Sequence, residues 1–227
     1  MIISHEYRFI FVKTEKTAGT SIELALSHIC GERDVITPVV AEDEETRTRA
    51  GARGPQNYLI PLRSYTLRDW GRLAIRRRRA QYFNHASADF IRRHVGERCW
   101  RSYYKFCFER NPWDKVVSWY YWRNRSEPRP SLSEFIHSGA ADSIRGFDLY
   151  SIDGKVAVDR VCRFEDLEQE LEEVARIVGL PSLAPLPRAK GGHRGDQRSY
   201  RDVLSPSDRE RIARVCSREI EMLGYQW

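Results

Sequence analysis

Apolar and polar positions follow one another in blocks that predict strands succeeded by helices. A short apolar run at 9–12 has the length of a buried strand. Apolar side chains then recur at the i, i+3, i+4 and i+7 positions of a helix, at Ile22, Ala25, Leu26 and Ile29. Gly31 is typical of the residue that ends such a helix. We interpret this part of the chain as a core strand, a loop and a helix, and not as a signal peptide.

The same order of strand, loop and helix recurs later. An apolar run at 106–108 precedes a helix that Asn111 would cap and Pro112 would open. Residues 155–164 predict another strand, and residues 165–178 predict an amphipathic helix. Because strands alternate with helices, we expect an α/β fold with a mainly parallel central sheet flanked by helices.

One segment, residues 32–83, does not follow this order. It holds an acidic stretch at 42–45, scattered glycines, and an arginine-rich stretch at 63–79. We expect it to be an irregular, variable insertion. A chain of 227 residues is most simply one domain, so we predict a single domain over 1–227 that carries the insertion at about 32–83.

The loop after the first strand has the composition of an anion-binding loop. It contains the run Lys16-Thr17-Ala18-Gly19-Thr20-Ser21. Glycine allows close backbone approach, the hydroxyls donate hydrogen bonds, and lysine is a mobile positive charge. At the start of the following helix, the first backbone N–H groups and the positive end of the helix dipole both favour a bound anion. The Walker A pattern G-x-x-x-x-G-K-[ST] is absent from the sequence. The alternative is an ordinary capped helix with a solvated lysine.

A second candidate anion site follows the run at 106–108. Arg110 offers a two-pronged donor at the end of the strand, and Ser118 offers a hydroxyl from the next helix. The alternative is a structural arginine that pairs with Asp114 or Glu109. Two such sites predict a ligand with two separate phosphate-like groups.

Composition adds three constraints. The net charge of +6 favours an anionic ligand or acceptor and leaves nucleic acid open as a partner. The five cysteines form no C-x-x-C pair, so neither a disulfide framework nor a zinc site is indicated. No apolar run approaches the ~18 residues of a membrane span, so we expect a cytoplasmic protein without a transmembrane segment.

Taken together, these segments resemble the sulfotransferases that use 3′-phosphoadenosine 5′-phosphosulfate (PAPS), specifically the glycan-type branch. Residues 9–21 resemble the family's 5′-phosphosulfate loop, and residues 106–122, with R-N-P-W-D and Ser118, resemble its 3′-phosphate segment. Residues 162–180 resemble its R-F-E-x-L segment, and residues 199–227 resemble its closing segment. The resemblance implies a P-loop-like three-layer fold, PAPS as the donor and no metal.

The resemblance also assigns roles to individual residues. The 5′-phosphosulfate would be held by Lys16, Thr17, Ala18, Gly19, Thr20 and Ser21. Arg110 and Ser118 would hold the 3′-phosphate. The residues of the late loop that would close over the nucleotide, or would instead be solvated, are Lys190, Arg194, Tyr200 and Arg201. Glu109 stands where the family has an apolar residue, and it either adds negative charge to the phosphate site or pairs with Arg110 and orients it.

The candidate general base is His85, which stands where glycan-type members carry a histidine. Imidazole suits proton transfer because its ordinary pKa is ~6.5. The implied reaction is in-line transfer of a sulfuryl group to an acceptor hydroxyl on a glycan, another sugar-containing compound or a small alcohol. Lys16 would stabilise the leaving oxygen. The alternative for His85 is a helix cap or an exposed side chain.

Two other function classes remain open at this stage. A P-loop kinase or NTPase-like protein would prefer ATP, and a basic nucleic-acid-binding module would use the arginine-rich stretch and show steep salt dependence. That stretch could equally bind an anionic glycan acceptor or a phosphate-bearing lipid surface, or be a solvated helix face. Nucleic acid is the less favoured partner because it gives no reason for two anion loops.

Overall fold

A computed structural model describes residues 1–181, 183, 186, 196 and 198–227. Within these residues, five strands form one sheet and two form a small hairpin. The sheet strands are β1 (Ile2–Ser4), β2 (Phe9–Phe11), β3 (Val35–Ile36), β4 (Tyr104–Glu109) and β7 (Arg160–Arg163). The hairpin strands are β5 (Ser151–Ile152) and β6 (Lys155–Val156).

The sheet is mixed, so the expectation of a mainly parallel, P-loop-like sheet was wrong. The strand order is β3-β1-β2-β4-β7. The pairings of β1 with β2 and with β3 are antiparallel, whereas β2 with β4 and β4 with β7 are parallel. The three parallel strands nevertheless place their carboxyl ends at one edge, where the two candidate anion loops begin.

The antiparallel half arises from a turn between β1 and β2. The polar residues 5–8 form this turn, and Arg8 adopts a left-handed φ of 53°. Asp34 accepts the backbone N–H groups of His5 at 2.6 Å and Glu6 at 3.3 Å, which fixes the turn. A connection this short can join antiparallel strands but cannot make the crossover that parallel strands require.

Helices flank the sheet. The helices in the first half are α1 (Gly19–Ser27), α2 (Ala41–Arg49), α3 (Leu67–Arg76), α4 (Ala88–Val95), α5 (Glu97–Ser102) and α6 (Pro112–Arg123). Those in the second half are α7 (Leu132–His137), α8 (Phe147–Tyr150), α9 (Leu167–Val178), α10 (Tyr200–Val203), α11 (Pro206–Val215) and α12 (Ser217–Leu223). Short 3₁₀ helices lie at Leu62–Ser64, Ala140–Ser143 and Phe164–Asp166.

The segment 32–83 is more regular than expected, since it contains β3, α2 and α3. A capping box fixes the start of α3, where Thr66 and Asp69 each bond to the other's backbone N–H. In α2, acidic side chains occupy the first turn and Arg47 and Arg49 the last, which complements the helix dipole. Because β3 belongs to the main sheet, part of this segment is integral to it. The single domain over 1–227 stays a prediction.

The core lies on both faces of the sheet because side chains alternate along each strand. Phe9 and Phe11 of β2 pack on one face with α1 and α9, and Ile10 packs on the other face with α4 and α5. A further apolar cluster joins α6, α7 and α11. Among the described residues, no helix has the length and apolar character to cross a membrane.

Candidate functional site

The structure brings the two candidate anion loops together at the carboxyl ends of β2 and β4. Arg110 reaches from the second loop and donates from Nη1 to the carbonyl oxygen of Lys16 in the first, at 3.2 Å. The buried Thr14 hydroxyl donates to the carbonyl oxygen of Phe108 at the end of β4. The parallel pairing of β2 with β4 makes these contacts possible, because both loops leave the sheet at the same edge.

The first loop leaves the N-terminus of α1 without a side-chain cap. Lys16 and Ala18 have left-handed φ values of 61° and 56°, and Ala18, the N-cap residue, makes no side-chain hydrogen bond to the helix. The N–H groups of Gly19, Thr20 and Ser21 form the first turn there. This arrangement suits an anion, because the Ala18 side chain has no atom that could accept hydrogen bonds from the first N–H groups of the helix.

The hydroxyl groups of this loop differ in what they contact. The buried Thr17 hydroxyl lies 2.8 Å from that of Thr14, so it organises the loop from within. Thr20, 6% exposed, accepts from the ammonium group of Lys13 at 3.3 Å, and that ammonium also donates to Glu23 at 2.5 Å. Ser21 is 8% exposed in the same turn. No role was predicted for Lys13, because no local pattern indicates that its side chain folds back under α1.

Gly19 is required for packing against Lys13. A Cβ at this position would lie 2.7 Å from Cγ of Lys13, inside van der Waals contact. We expected Gly19 to permit close approach of a ligand; the described contact is with the aliphatic part of a buried lysine. The same glycine brings the helix N-terminus onto the end of β2.

Lys16 itself is partly buried, and its Nζ lies 5.7 Å from the centroid of the Trp122 ring of α6. The ammonium is therefore held over the aromatic face of a side chain of α6, a favourable cation–π arrangement. This orientation comes from α6 and could not be seen in the loop's own sequence.

Arg110 pairs with Asp114, one of the two structural partners considered from the sequence. Its Nε and Nη2 donate to the same Asp114 oxygen at 2.9 Å and 2.5 Å. Its guanidinium also lies 4.2 Å from the centroid of the Phe164 ring. Arg110 is thus held in place on two sides, with Nη1 directed at the first loop.

Glu109 does not pair with the Arg110 side chain. Its fully buried carboxylate binds the Lys115 ammonium at 2.7 Å and accepts the backbone N–H of Arg110 at 3.0 Å. Burial raises the pKa of Glu109 despite the neighbouring lysine. The charge at Glu109 is therefore neutralised within the core and positions Arg110 through its backbone.

The structure brings Ser118 and the predicted residues of the late loop only partly together with Arg110. Ser118 lies one helical turn after Asp114 on α6, is partly buried, and makes no hydrogen bond with Arg110 among the described atoms. The Tyr200 hydroxyl accepts from the Asn111 side chain at 3.3 Å, which brings Tyr200 to the second loop. Arg201 is exposed and stacks on the Tyr200 ring at 4.9 Å. Lys190 and Arg194 lie outside the described residues.

His85 lies against the first loop. Its Nδ1 is 3.1 Å from the carbonyl oxygen of Lys13, and its own carbonyl accepts from Arg145 at 3.4 Å. Because a carbonyl oxygen can only accept, Nδ1 carries the proton, and Nε2 of the neutral ring carries a lone pair. Burial, together with the positive charge of Lys13, lowers the pKa of His85 to about 3. The histidine is therefore neutral near pH 7 in the free protein.

Sequence reasoning missed the residues that hold the second loop from behind. Glu165 accepts the backbone N–H of Asn111 at 2.7 Å and the hydroxyl of Tyr225 at 3.0 Å. Tyr225 also donates to the carbonyl oxygen of Glu109 at 3.2 Å. The R-F-E segment and the final Gly-Tyr contained the signal, but their mutual contact depends on the fold.

A polar cavity of about 690 Å³ lies next to the segment that follows His85, whose own side chain is not among the lining residues. Ser87, two residues after His85, and Arg145, which bonds its carbonyl, both line the cavity. Three arginines and four carboxylates contribute to its walls. The opposing charges are largely balanced, so the cavity favours a neutral polar molecule over a polyanion.

No family model matches the chain, and no solved structure matches it. The chain is similar to an uncharacterized protein of Archaeoglobus fulgidus, with 38% identity over 96 residues. The matched region covers 40% of this chain and 80% of the archaeal protein. The chain therefore belongs to the same family as that uncharacterized protein. This relationship brings no activity with it.

Proposed function

We propose that this protein is a sulfotransferase that moves a sulfuryl group from PAPS to the hydroxyl of an acceptor. The supporting observation is that an uncapped helix N-terminus, a fixed arginine and a neutral histidine converge at one edge of the sheet. PAPS would supply the sulfuryl group, with its 5′-phosphate as the leaving group. In this proposal the N-terminus of α1 would hold the phosphosulfate, and Arg110 and Ser118 would hold the 3′-phosphate.

His85 would take the proton in this reaction. As the acceptor oxygen bonds to sulfur, its proton passes to Nε2, and the bond between sulfur and the bridging oxygen breaks. The electron pair goes to that oxygen, so the products are a sulfate ester and adenosine 3′,5′-bisphosphate. Lys16 stabilises the negative charge that develops on the bridging oxygen. The negative charge of the bound donor opposes the effect of Lys13 and raises the basicity of His85 in the complex.

The cavity lined by Ser87 and Arg145 is the proposed acceptor site. Its balanced charges and its two serines favour a neutral polyhydroxylated acceptor, such as an uncharged sugar or a small alcohol. The paired arginines and carboxylates can each bond to hydroxyl groups, as donors and acceptors.

The first test is calorimetric binding of adenosine 3′,5′-bisphosphate beside 5′-AMP and ATP. Arg110→Ala would also break the loop contact, so Ser118→Ala is the sharper variant. We expect it to weaken bisphosphate binding about tenfold and to leave 5′-AMP unchanged. Ser217→Ala on α12 is a matched control for loss of a helical hydroxyl. Absence of a preference for the 3′-phosphate, or preference for ATP, would refute the proposal.

The second test is sulfuryl transfer from labelled PAPS to a panel of sugars and alcohols. His85→Asn keeps a donor at the position of Nδ1 but has no base at Nε2, so we expect a loss of about 10²–10⁴-fold in rate. Lys16→Ala should lose about 10²–10³-fold. A variant within a few-fold of the wild type would remove that residue from the mechanism.

A further inference from the structure

Helix α3 exposes an apolar row and a basic row that the proposed function does not use. Leu67 is 92% exposed and Ile75 84% exposed, and with Gly71 they occupy positions i, i+4 and i+8 of the helix. Residues four apart lie on one face, so the Leu67 and Ile75 side chains form an apolar ridge that Gly71, which has no side chain, interrupts. Immediately beside it runs a parallel row of exposed basic residues, Arg68, Arg72 and Arg76.

The helix is fixed to the body of the protein by its opposite side. Asp69, 5% exposed, caps the helix start and accepts from the buried His94 of α4 at 2.9 Å. The Trp70 ring packs edge-on against Tyr65 with centroids 5.2 Å apart. The orientation of α3 is therefore set by tertiary contacts, which turn the apolar and basic rows outward.

The surroundings of α3 reinforce both properties. Six of the eleven large hydrophobic side chains that are exposed among the described residues lie between positions 59 and 83. Arg77, Arg78 and Arg79 extend the basic row past the end of the helix, and all three are exposed. Apolar surface concentrated in this way marks an interaction site.

We infer that α3 binds the surface of an anionic phospholipid bilayer. A basic amphipathic helix lies in the plane of such a surface, with its apolar side chains among the acyl chains and its cations at the phosphates. Arginine suits this position because its aliphatic part can lie along the apolar layer while the guanidinium stays with the headgroups. Nucleic acid would satisfy the arginines but would leave the ridge of Leu67 and Ile75 in water. The inference is independent of the proposed catalytic activity.

The test is flotation of the full-length protein with vesicles of phosphatidylcholine, with and without phosphatidylserine. We expect binding to the anionic vesicles and at least about tenfold weaker binding to neutral ones. Leu67→Ser with Ile75→Ser should weaken binding by at least about tenfold. Replacing Arg68, Arg72 and Arg76 by glutamine should weaken it about a hundredfold.

Two controls keep the test decisive. Ile177→Ser with Val215→Ser removes exposed aliphatic side chains outside α3, 42% and 39% exposed, and should leave vesicle binding unchanged. Brominated acyl chains should quench the fluorescence of wild-type protein more than that of Trp70→Phe, since Trp70 lies on α3. No vesicle binding would overturn the inference. Binding to a DNA duplex that is tighter than vesicle binding, and that the serine substitutions do not weaken, would also overturn it. Self-association of the protein that the serine substitutions abolish would overturn it as well.

Discussion

The lowered pKa of His85 leads to a prediction that can be tested without a substrate. Burial and Lys13 lower the pKa of this histidine from its ordinary 6.5 to about 3. Between these values the unfolded chain binds a proton that the folded chain does not bind. The free energy of unfolding therefore falls as the pH falls from about 6.5, and it continues to fall until the folded-state pKa is reached.

The magnitude follows from the shift. One pH unit corresponds to about 1.4 kcal/mol, so His85 removes at most about 2.7 kcal/mol of stability between about pH 6.5 and about pH 4.5. The side chain is partly exposed, and solvent screening reduces this effect, so we expect about 1–2 kcal/mol. The other ionisable groups contribute equally in the wild type and in a variant that lacks only the imidazole ring. The difference between the two proteins therefore reports on His85.

The assay is urea unfolding of wild type and His85→Asn at the two pH values. Asparagine tolerates the left-handed φ of 58° and keeps an N–H donor toward Lys13. On acidification, the free energy of unfolding of the wild type should fall by about 1–2 kcal/mol more than that of the variant. Equal losses, or an imidazole proton signal of His85 that titrates near pH 6.5 in NMR spectra, would refute the proposed environment of His85.

Two further predictions concern stability. Gly19→Ala places a Cβ 2.7 Å from Lys13 Cγ and should cost about 1–3 kcal/mol in urea unfolding, whereas Gly71→Ala on α3, where a Cβ meets nothing within 4 Å, should be neutral or stabilising; equal effects of the two would contradict the packing argument. Glu109→Ala leaves the buried Lys115 without its carboxylate and should cost about 3–5 kcal/mol, and adding Lys115→Met should recover part of it; a single-variant loss below about 1 kcal/mol would show that the pair is not buried as described.

The sequence predicted best the features that depend on near neighbours in the chain. Asn111 and Pro112 predicted the start of α6, and the amphipathic pattern over 165–178 predicted α9, which ends at Val178 before Gly179 with its left-handed φ of 70°. Both predictions are confirmed because a helix cap is formed by residues within a few positions of it. The strand predicted over 155–164 instead divides into β6 and β7.

Features that depend on distant residues were not predictable in the same way. The turn between β1 and β2 is held by Asp34, which no local pattern connects to residues 5–8. The separate strand β1, which pairs antiparallel with β2, was therefore not predicted from the sequence. For the site, the sequence left Arg110 with two possible partners, and only the fold shows that Asp114 binds it.

The pairing within the site changes the interpretation of the net charge. Lys13 is paired with Glu23, Arg110 with Asp114 and Arg145 with Asp148. These cations at the candidate site therefore contribute little net field, and binding of a dianion there must draw on the helix N-terminus and on short-range hydrogen bonds. The net charge of +6 has its densest cluster in the exposed arginines at 76–79, at the end of α3 and just after it. It follows that salt should weaken ligand binding at the site only modestly and association through α3 strongly, because screening acts most on exposed charges.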